Sequence, residues 1–404
     1  MGQVPKLRFP GFNEPWEHRK LSEVTDVRDG THNSPKYYDD GYPLVTSKNV
    51  KDGYVNYDDI QYINKGDYNE INQRSKVDKN DILMGMIGTI GNIALVRENP
   101  TFAIKNVALI KDTNNINYKF LYHCLESSYI KNQLISGING GTQKFISLNK
   151  IRNIDMPFTV ALEQQQIGVF FENLDDLIIL HQCNLDDIKS LKQSMLQKMF
   201  PKNGEDKPEI RFPGFTEPWE QRKLGEISEI VGGGTPSTSI AEYWDGDIDW
   251  YAPAEIGEQI YVNSSKKKIT KAGLEDSSAK ILPIGTILFT SRAGIGNTAI
   301  LAKNGATNQG FQSIIPIQNV LDTYFLFSMT NQLKRYGEIT GAGSTFVEVS
   351  GKQMAKMELM LPSYNEQQQI GAFFKNLDDL ITLHQRKLDD LKQLKQALLQ
   401  QMFI

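Results

Sequence analysis

At 404 residues, with 40% hydrophobic and 23% charged side chains, the chain has the composition of a globular protein and the length of two ordinary domains. A net charge of −4 argues against a simple basic nucleic-acid binder, and no apolar run reaches the ~18–20 residues that a membrane span needs. The two cysteines, Cys124 and Cys183, have no metal-type spacing and argue against a disulfide framework, which fits a reducing cytoplasm; neither a signal peptide nor a lipid anchor is expected.

The chain opens on Arg8-Phe9-Pro10-Gly11-Phe12 and Glu14-Pro15-Trp16-Glu17, and the same words return as Arg211-Phe212-Pro213-Gly214-Phe215 and Glu217-Pro218-Trp219-Glu220, a shift of 203 residues. Residues 28–157 read as mixed α/β with many turns, with β-like stretches at 42–46 and 93–96 and a helix from Lys119 to about Ser127. Glu163-Gln164-Gln165-Gln166 then opens a helix of about 35 residues, whose Ile167, Phe171, Leu174, Ile178, His181 and Leu185 step by four and three along a coiled-coil seam. Pro201 and Pro208 bracket a polar stretch that ends it.

In the second copy, 231–362 is again mixed, with β-like stretches at 285–290 and 298–301 and a helix from Thr323 to about Tyr336. The closing helix repeats the seam as Ile370, Phe374, Leu377, Ile381, His384 and Leu388, with Asn365 and Gln368 resembling a capping box at its start. The expected divisions are a mixed domain over 1–160, a helical repeat over 161–200, a linker over 201–209, a second mixed domain over 210–364 and a second helical repeat over 365–404. The helices match and the domains between them differ, so one part of each half is constrained to be the same and another to be different.

A long helix with one apolar face needs a partner, and two near-identical helices supply each other. If the halves are related by a pseudo-twofold axis, the helices run antiparallel and the molecule is a dumbbell with a ruler between its heads. His181 and His384 then read as seam residues hydrogen-bonded locally, rather than as catalytic or metal-binding groups.

The low net charge hides segregation. Residues 82–162 carry eight Lys/Arg against four Asp/Glu, and 266–316 carry seven against two, whereas 229–258 hold seven acids and no base. The Gly85-Met86-Ile87-Gly88-Thr89-Ile90-Gly91 loop is no GxGxxG fingerprint, and no GxxxxGK[ST] occurs. Asn13-Glu14-Pro15-Trp16 superficially resembles the Asn-Pro-Pro-aromatic motif of amino-methyltransferases, but Glu replaces the first Pro in both copies and the second copy has Thr216 for Asn. A packing turn is the better account. No Ser-His-Asp or metal-nuclease arrangement is nominated, so nothing asks for an enzyme.

Taken together, the layout resembles the specificity subunit of type I restriction–modification systems over essentially the whole chain. The carriers are Trp16…Arg19-Lys20-Leu21 and Trp219…Arg222-Lys223-Leu224, Gly30-Thr31-His32-Asn33-Ser34-Pro35 and Gly233-Gly234-Thr235-Pro236-Ser237, and Asn308-Gln309-Gly310-Phe311. To these are added the loops Gly140-Gly141-Thr142-Gln143-Lys144-Phe145 and Gly343-Ser344-Thr345-Phe346.

The resemblance implies two target-recognition domains, a non-catalytic chain without its own cofactor or metal, and double-stranded DNA as ligand. It further implies two modification subunits that bind S-adenosylmethionine and methylate adenine at N6, and restriction subunits that use ATP and Mg. No membrane is involved. Gly-rich loops allow close approach to DNA and the basic segments supply charge, so the candidate contacts are Thr31, His32, Lys48, Lys105, Gln143 and Lys144 in the first domain and Thr235, Ser237, Arg292, Asn308, Gln309 and Thr345 in the second. Two alternatives stand beside this: a protein scaffold without DNA readout, and a stand-alone DNA methyltransferase, for which the cofactor loop and an intact motif are missing from the sequence.

Overall fold

The computed structural model describes residues 4–51, 53–138, 144–202, 204–292, 294–342 and 348–403. The chain forms two compact units, one of residues 1–183 with 385–404 and the other of residues 184–384.

In the first unit a four-stranded antiparallel sheet runs in the order Val27–Asp29, Val107–Ile110, Ile82–Gly85, Ile93–Leu95. Its two middle strands, VALI and ILMG, are buried at every residue, so they read as unbroken apolar runs without alternation. A second sheet sets Tyr42–Thr46 between Gln61–Ile63 and Ala103–Lys105, the latter pairing in parallel. Finally, Glu17–Lys20 pairs antiparallel with Asp155–Phe158, Glu17 facing Phe158, which brings the opening segment to the residues just before the long helix.

The second unit repeats the plan. A five-stranded sheet orders Ser228–Gly232, Gln312–Pro316, Ile287–Phe289, Thr298–Leu301 and an added edge strand, Tyr261–Val262. Trp244–Tyr251 lies between Lys267–Ile269 and the parallel Ala306–Thr307. Glu220 faces Leu361 in the closing pair, each partner 203 residues beyond its counterpart in the first unit.

Three local expectations need correction. The helix foreseen over 323–336 is two helices, Thr323–Ser328 and Thr330–Gly341, separated at Met329. Flanking hydroxyls compete for backbone carbonyls there: Ser328 Oγ donates to the Tyr324 carbonyl at 2.8 Å, and Thr330 Oγ1 donates to the Phe327 carbonyl. The strand foreseen over 285–290 is Ile287–Phe289, because Gly285 takes φ +85° and Thr286 Oγ1 folds back onto the Pro283 carbonyl at 2.7 Å. The second long helix starts at Tyr364 rather than after Asn365: the Ser363 carbonyl accepts from the Glu366 and Gln367 amides, both at 3.0 Å.

The two long helices span Ala161–Lys198 and Tyr364–Met402. In the first unit Ile167, Phe171 and Leu174 are buried with Leu399, Met402 and Phe403, and Ile178, Leu391 and Leu398 pack against them. Phe171 lies 5.9 Å from Phe403, centroid to centroid, and Asp175 binds Lys395, so one helix ascends as the other descends. In the second unit Ile370, Phe374 and Leu377 are buried with Met199 and Phe200; Phe374 lies 6.0 Å from Phe200 and Asp378 binds Lys192. The pairing is antiparallel within each unit. Leu185 and Leu388 are buried, and Ile381, His181 and His384 are half-buried.

Candidate nucleic-acid interface

A common frame carries each unit's variable loops. Arg8 donates to Glu163 through Nε (2.6 Å, Oε1) and Nη2 (2.9 Å, Oε2), and Trp16 Nε1 adds a third donor at 3.1 Å. Glu163 is fully buried, and its hydrogen bond is the main cause that raises the Arg8 pKa. The pattern recurs as Arg211 on buried Glu366 at 2.7 and 2.8 Å. The repeated Glu-Pro-Trp words are thus packing turns, with Trp16 and Trp219 buried.

In the first unit the chain leaves Val27–Asp29 and turns at Gly30-Thr31-His32. The Gly30 amide donates to Val107 O at 3.0 Å, Thr31 to Ile104 O at 3.0 Å, and the Asn106 amide returns to Thr31 O at 3.1 Å. A Cβ on Gly30 would collide with the Ile104 carbonyl, so only glycine lets the turn lie flat on this strand. Ser47 ties the turn to the next loop: its Oγ donates to Asn106 O (2.6 Å) and accepts from the Met86 and Ile87 amides (3.0 and 3.2 Å). Ile87 in turn pairs with Phe145, and the Gly88 amide donates to Lys144 O at 3.2 Å.

This chain of contacts brings Thr31, His32, Lys48, Lys105 and Lys144 onto one set of linked loops; Gln143 lies outside the described residues. Lys105 Nζ reaches Ser34 Oγ at 2.6 Å and Tyr37 OH at 3.2 Å, and Lys48 Nζ reaches Asp59 O at 3.0 Å. His32 has both ring nitrogens engaged, Nδ1 with Asn106 Oδ1 (2.8 Å) and Nε2 with Asp29 Oδ2 (2.9 Å). The bond to Asn106 and then that to Asp29 raise its pKa above the usual histidine value.

The second unit builds the matching turn from other chemistry. Gly234 donates to Thr307 O at 2.9 Å and accepts from Trp250 Nε1 at 2.8 Å, while a Cβ on Gly233 would meet the Asn308 carbonyl. Thr235 Oγ1 donates to Gln309 Oε1, and Asn308 Oδ1 accepts from the Gly310 amide at 2.8 Å. The Ser291 amide donates to Gly310 O at 2.8 Å, and next to it the Arg292 backbone forms an antiparallel bridge with that of Glu348. Thr235, Arg292, Asn308 and Gln309 therefore share one connected surface. Ser237 follows on the same loop, exposed and bonded to Ser239 Oγ at 2.8 Å, and Thr345 lies outside the described residues.

Sequence reasoning missed Asp29 and Arg74. Asp29 is buried beneath the first turn and receives Arg74 on Oδ1 and His32 on Oδ2. Arg74 arrives from the last turn of the helix Lys65–Ser75, which no local signal connects to the turn.

Away from these loops, His123, Glu126 and Asp175 stand close enough to suggest a metal group. Lys395 Nζ already sits between the two carboxylates, 2.6 Å from Glu126 and 2.7 Å from Asp175, so the positive charge is supplied by the chain itself.

Comparison with known proteins places this architecture. The model of the type I restriction modification DNA specificity domain matches twice, over residues 13–190 and 216–393. The chain is 39% identical over 190 residues to the MjaIX specificity subunit of Methanocaldococcus jannaschii, covering 46% of this chain and 44% of that one. It is 23% identical over 416 residues to the putative MjaX specificity subunit of the same organism, covering 99% of this chain and 93% of that one. The S subunit of a type I restriction–modification system from M. genitalium has the same fold, with a TM-score of 0.68 at 16% identity over 100% of this chain and 99% of that one. The chain belongs to the type I restriction modification DNA specificity family. It carries that domain twice, the two target-recognition domains of a specificity subunit.

Proposed function

We propose that each recognition domain reads one half of a bipartite, asymmetric site in double-stranded DNA, and that the helical repeats fix the gap between the halves. The recognition domains would be 1–160 and 210–364, the repeats 161–200 and 365–404, and the linker 201–209. The repeats would also dock two modification subunits, which methylate adenine at N6 with S-adenosylmethionine; restriction subunits using ATP and Mg would join them. On this reading the chain holds no cofactor of its own and works in the cytoplasm. No helix among the described residues is long and apolar enough to cross a membrane.

The observation that carries the proposal is one turn built twice with different chemistry. On a shared frame, the first unit presents Lys105 beside a turn fixed by His32 and Asp29, while the second presents Thr235 and Gln309. Charged and neutral donor sets at equivalent places suit two different base sequences.

Exchanging residues 1–160 for those of a relative with another specificity, followed by adenine-methylation mapping, tests the reading. One half-site should change and the other stay. A change in both halves, or a palindromic wild-type site, would sink it, and absence of any DNA preference would favour the scaffold alternative.

A further inference from the structure

We propose that Arg74 is a base-reading residue of the first recognition domain, held by Asp29 to bind a guanine in the first half-site. This rests on the DNA-reading function above and names a residue and a base for it. Arg74 is 70% exposed at its side chain, yet its Nη2 donates to a carboxylate that is 9% exposed. The same carboxylate accepts from His32 on its other oxygen, and His32 is in turn fixed by Asn106 at 2.8 Å. Arg74 is thus anchored through a chain of bonds to the turn that forms the candidate interface.

The chemistry separates this group from the lysines beside it. An arginine has five N–H donors in a rigid plane, and among the described residues Asp29 is the acceptor that takes one of them. The side chain is 70% exposed, and the bond from Nη2 to the buried carboxylate tethers the head of the guanidinium beside the turn, leaving its other donors for a ligand. A fork fixed in this way loses little side-chain entropy on binding, and it matches the paired acceptors O6 and N7 of guanine. Phosphate needs only a nearby charge, which Lys48 supplies. His32, with both ring nitrogens occupied, is a positioning residue.

Among the described residues the second domain shows no counterpart at this position: Gly232, 203 residues beyond Asp29, carries no side chain to hold a cation.

The test uses the full-length chain assembled with its modification subunits. Methylation mapping first gives the wild-type half-sites. Duplexes with 7-deazaguanine at each guanine of the first half-site then remove one N7 acceptor at a time. One such substitution should weaken wild-type binding about 5- to 100-fold and leave Arg74→Ala binding unaffected. Arg74→Ala should lose a similar factor on the cognate duplex, and Arg74→Lys nearly as much, because lysine lacks the fork. Arg74→Ala also takes a cation from buried Asp29, so the Tm of each variant is measured beside its binding, and the 7-deazaguanine comparison is read on variants that remain folded. Equal weakening on cognate and scrambled duplexes would make Arg74 a phosphate contact and overturn the proposal, as would a first half-site without guanine. A wild-type complex with no sequence preference would overturn the DNA-reading function along with it.

Discussion

Lys395 donates to Asp175 at 2.7 Å, and Lys192 donates to Asp378 at 2.5 Å; the second pair is the first moved by 203 residues with the helices exchanged. In the first unit the acid belongs to the helix Ala161–Lys198 and the lysine to Tyr364–Met402, and in the second unit the roles reverse. Each pair is largely buried, and its secondary partners differ. Asp175 shares its lysine with Glu126, whereas Asp378 accepts from Tyr324 OH at 2.8 Å. The repeats thus keep the antiparallel register and let the domain-side partner vary.

Replacing Lys395 by Met should destabilise the first unit by about 1–3 kcal/mol, since two part-buried carboxylates lose their shared cation. The acid response should also change. Burial pushes the Glu126 carboxyl up, but the His123 hydrogen bond and the Lys395 charge outweigh it and hold its pKa below the usual value. A depressed carboxyl contributes stability that is present above its unfolded pKa and is lost as pH falls through the folded one. Without Lys395 that loss should come at higher pH. Urea unfolding of wild type and variant at pH 7 and pH 4.5 checks this; an unchanged difference between the two pH values would remove Lys395 from the account.

Gly168 and Gly371, again 203 residues apart, should resist substitution by alanine although alanine favours helix by about 1 kcal/mol. A Cβ at Gly168 would come within 2.8 Å of Lys119 Cβ and 2.9 Å of the Phe120 amide. One at Gly371 would lie 2.5 Å from Asp322 Oδ1 and 2.9 Å from the Phe325 amide. Both glycines let a long helix lie against the capped start of a domain helix. Gly168→Ala and Gly371→Ala should each lower stability by about 1–3 kcal/mol, the range for overpacking. A rise in Tm for either would mean that the helix yields at that point.

The long helices were legible because their apolar rhythm repeats at a fixed offset, and the Arg8–Glu163 clamp was legible as two matched words, though not as a contact across 155 residues. Thr31 and Lys105 were accessible as a Gly-rich turn and a basic segment. Arg74 was not, because it reaches Asp29 across 45 residues from a helix with no turn chemistry to announce it. The break at Met329 escaped for a different reason. Apolar periodicity records which face is buried, and it is silent about hydroxyls that take carbonyls from the ladder.

Gln309→Leu should alter recognition of the second half-site and leave the first intact. Thr235 donates to Gln309 Oε1 and so orients the amide, which keeps two N–H donors and a second acceptor direction to offer a base. Losing it should reduce discrimination at one position by about 1–3 kcal/mol. Affinities for single-base variants of both half-sites check this; a uniform loss across all variants would mark Gln309 as a scaffold residue.

Lengthening the helices should lengthen the gap. The junction at Gln164 is a poor place to insert, because Gln164 Oε1 accepts from the Asn117 amide at 2.9 Å and its Nε2 donates to Thr159 O at 2.6 Å, contacts that an insertion would tear out. Cys183 lies inside the continuous helix and is exposed, and four residues after Cys183, matched by four after His384, would keep the antiparallel partners in step. Four residues add about 6 Å and about 40° of rotation at ~1.5 Å and ~100° per residue. One base pair advances ~3.4 Å and roughly 34°, with about 10.5 pairs per turn. The rotation asks for one extra pair and the rise for nearly two, so the gap between half-sites should grow by one or two pairs with both half-sites unchanged. An insertion in one helix alone should instead cost stability, because Lys395 and Asp175, or Lys192 and Asp378, would be pulled out of register. Methylation mapping that returned the original gap from the doubly lengthened chain would show that the helices do not set the spacing.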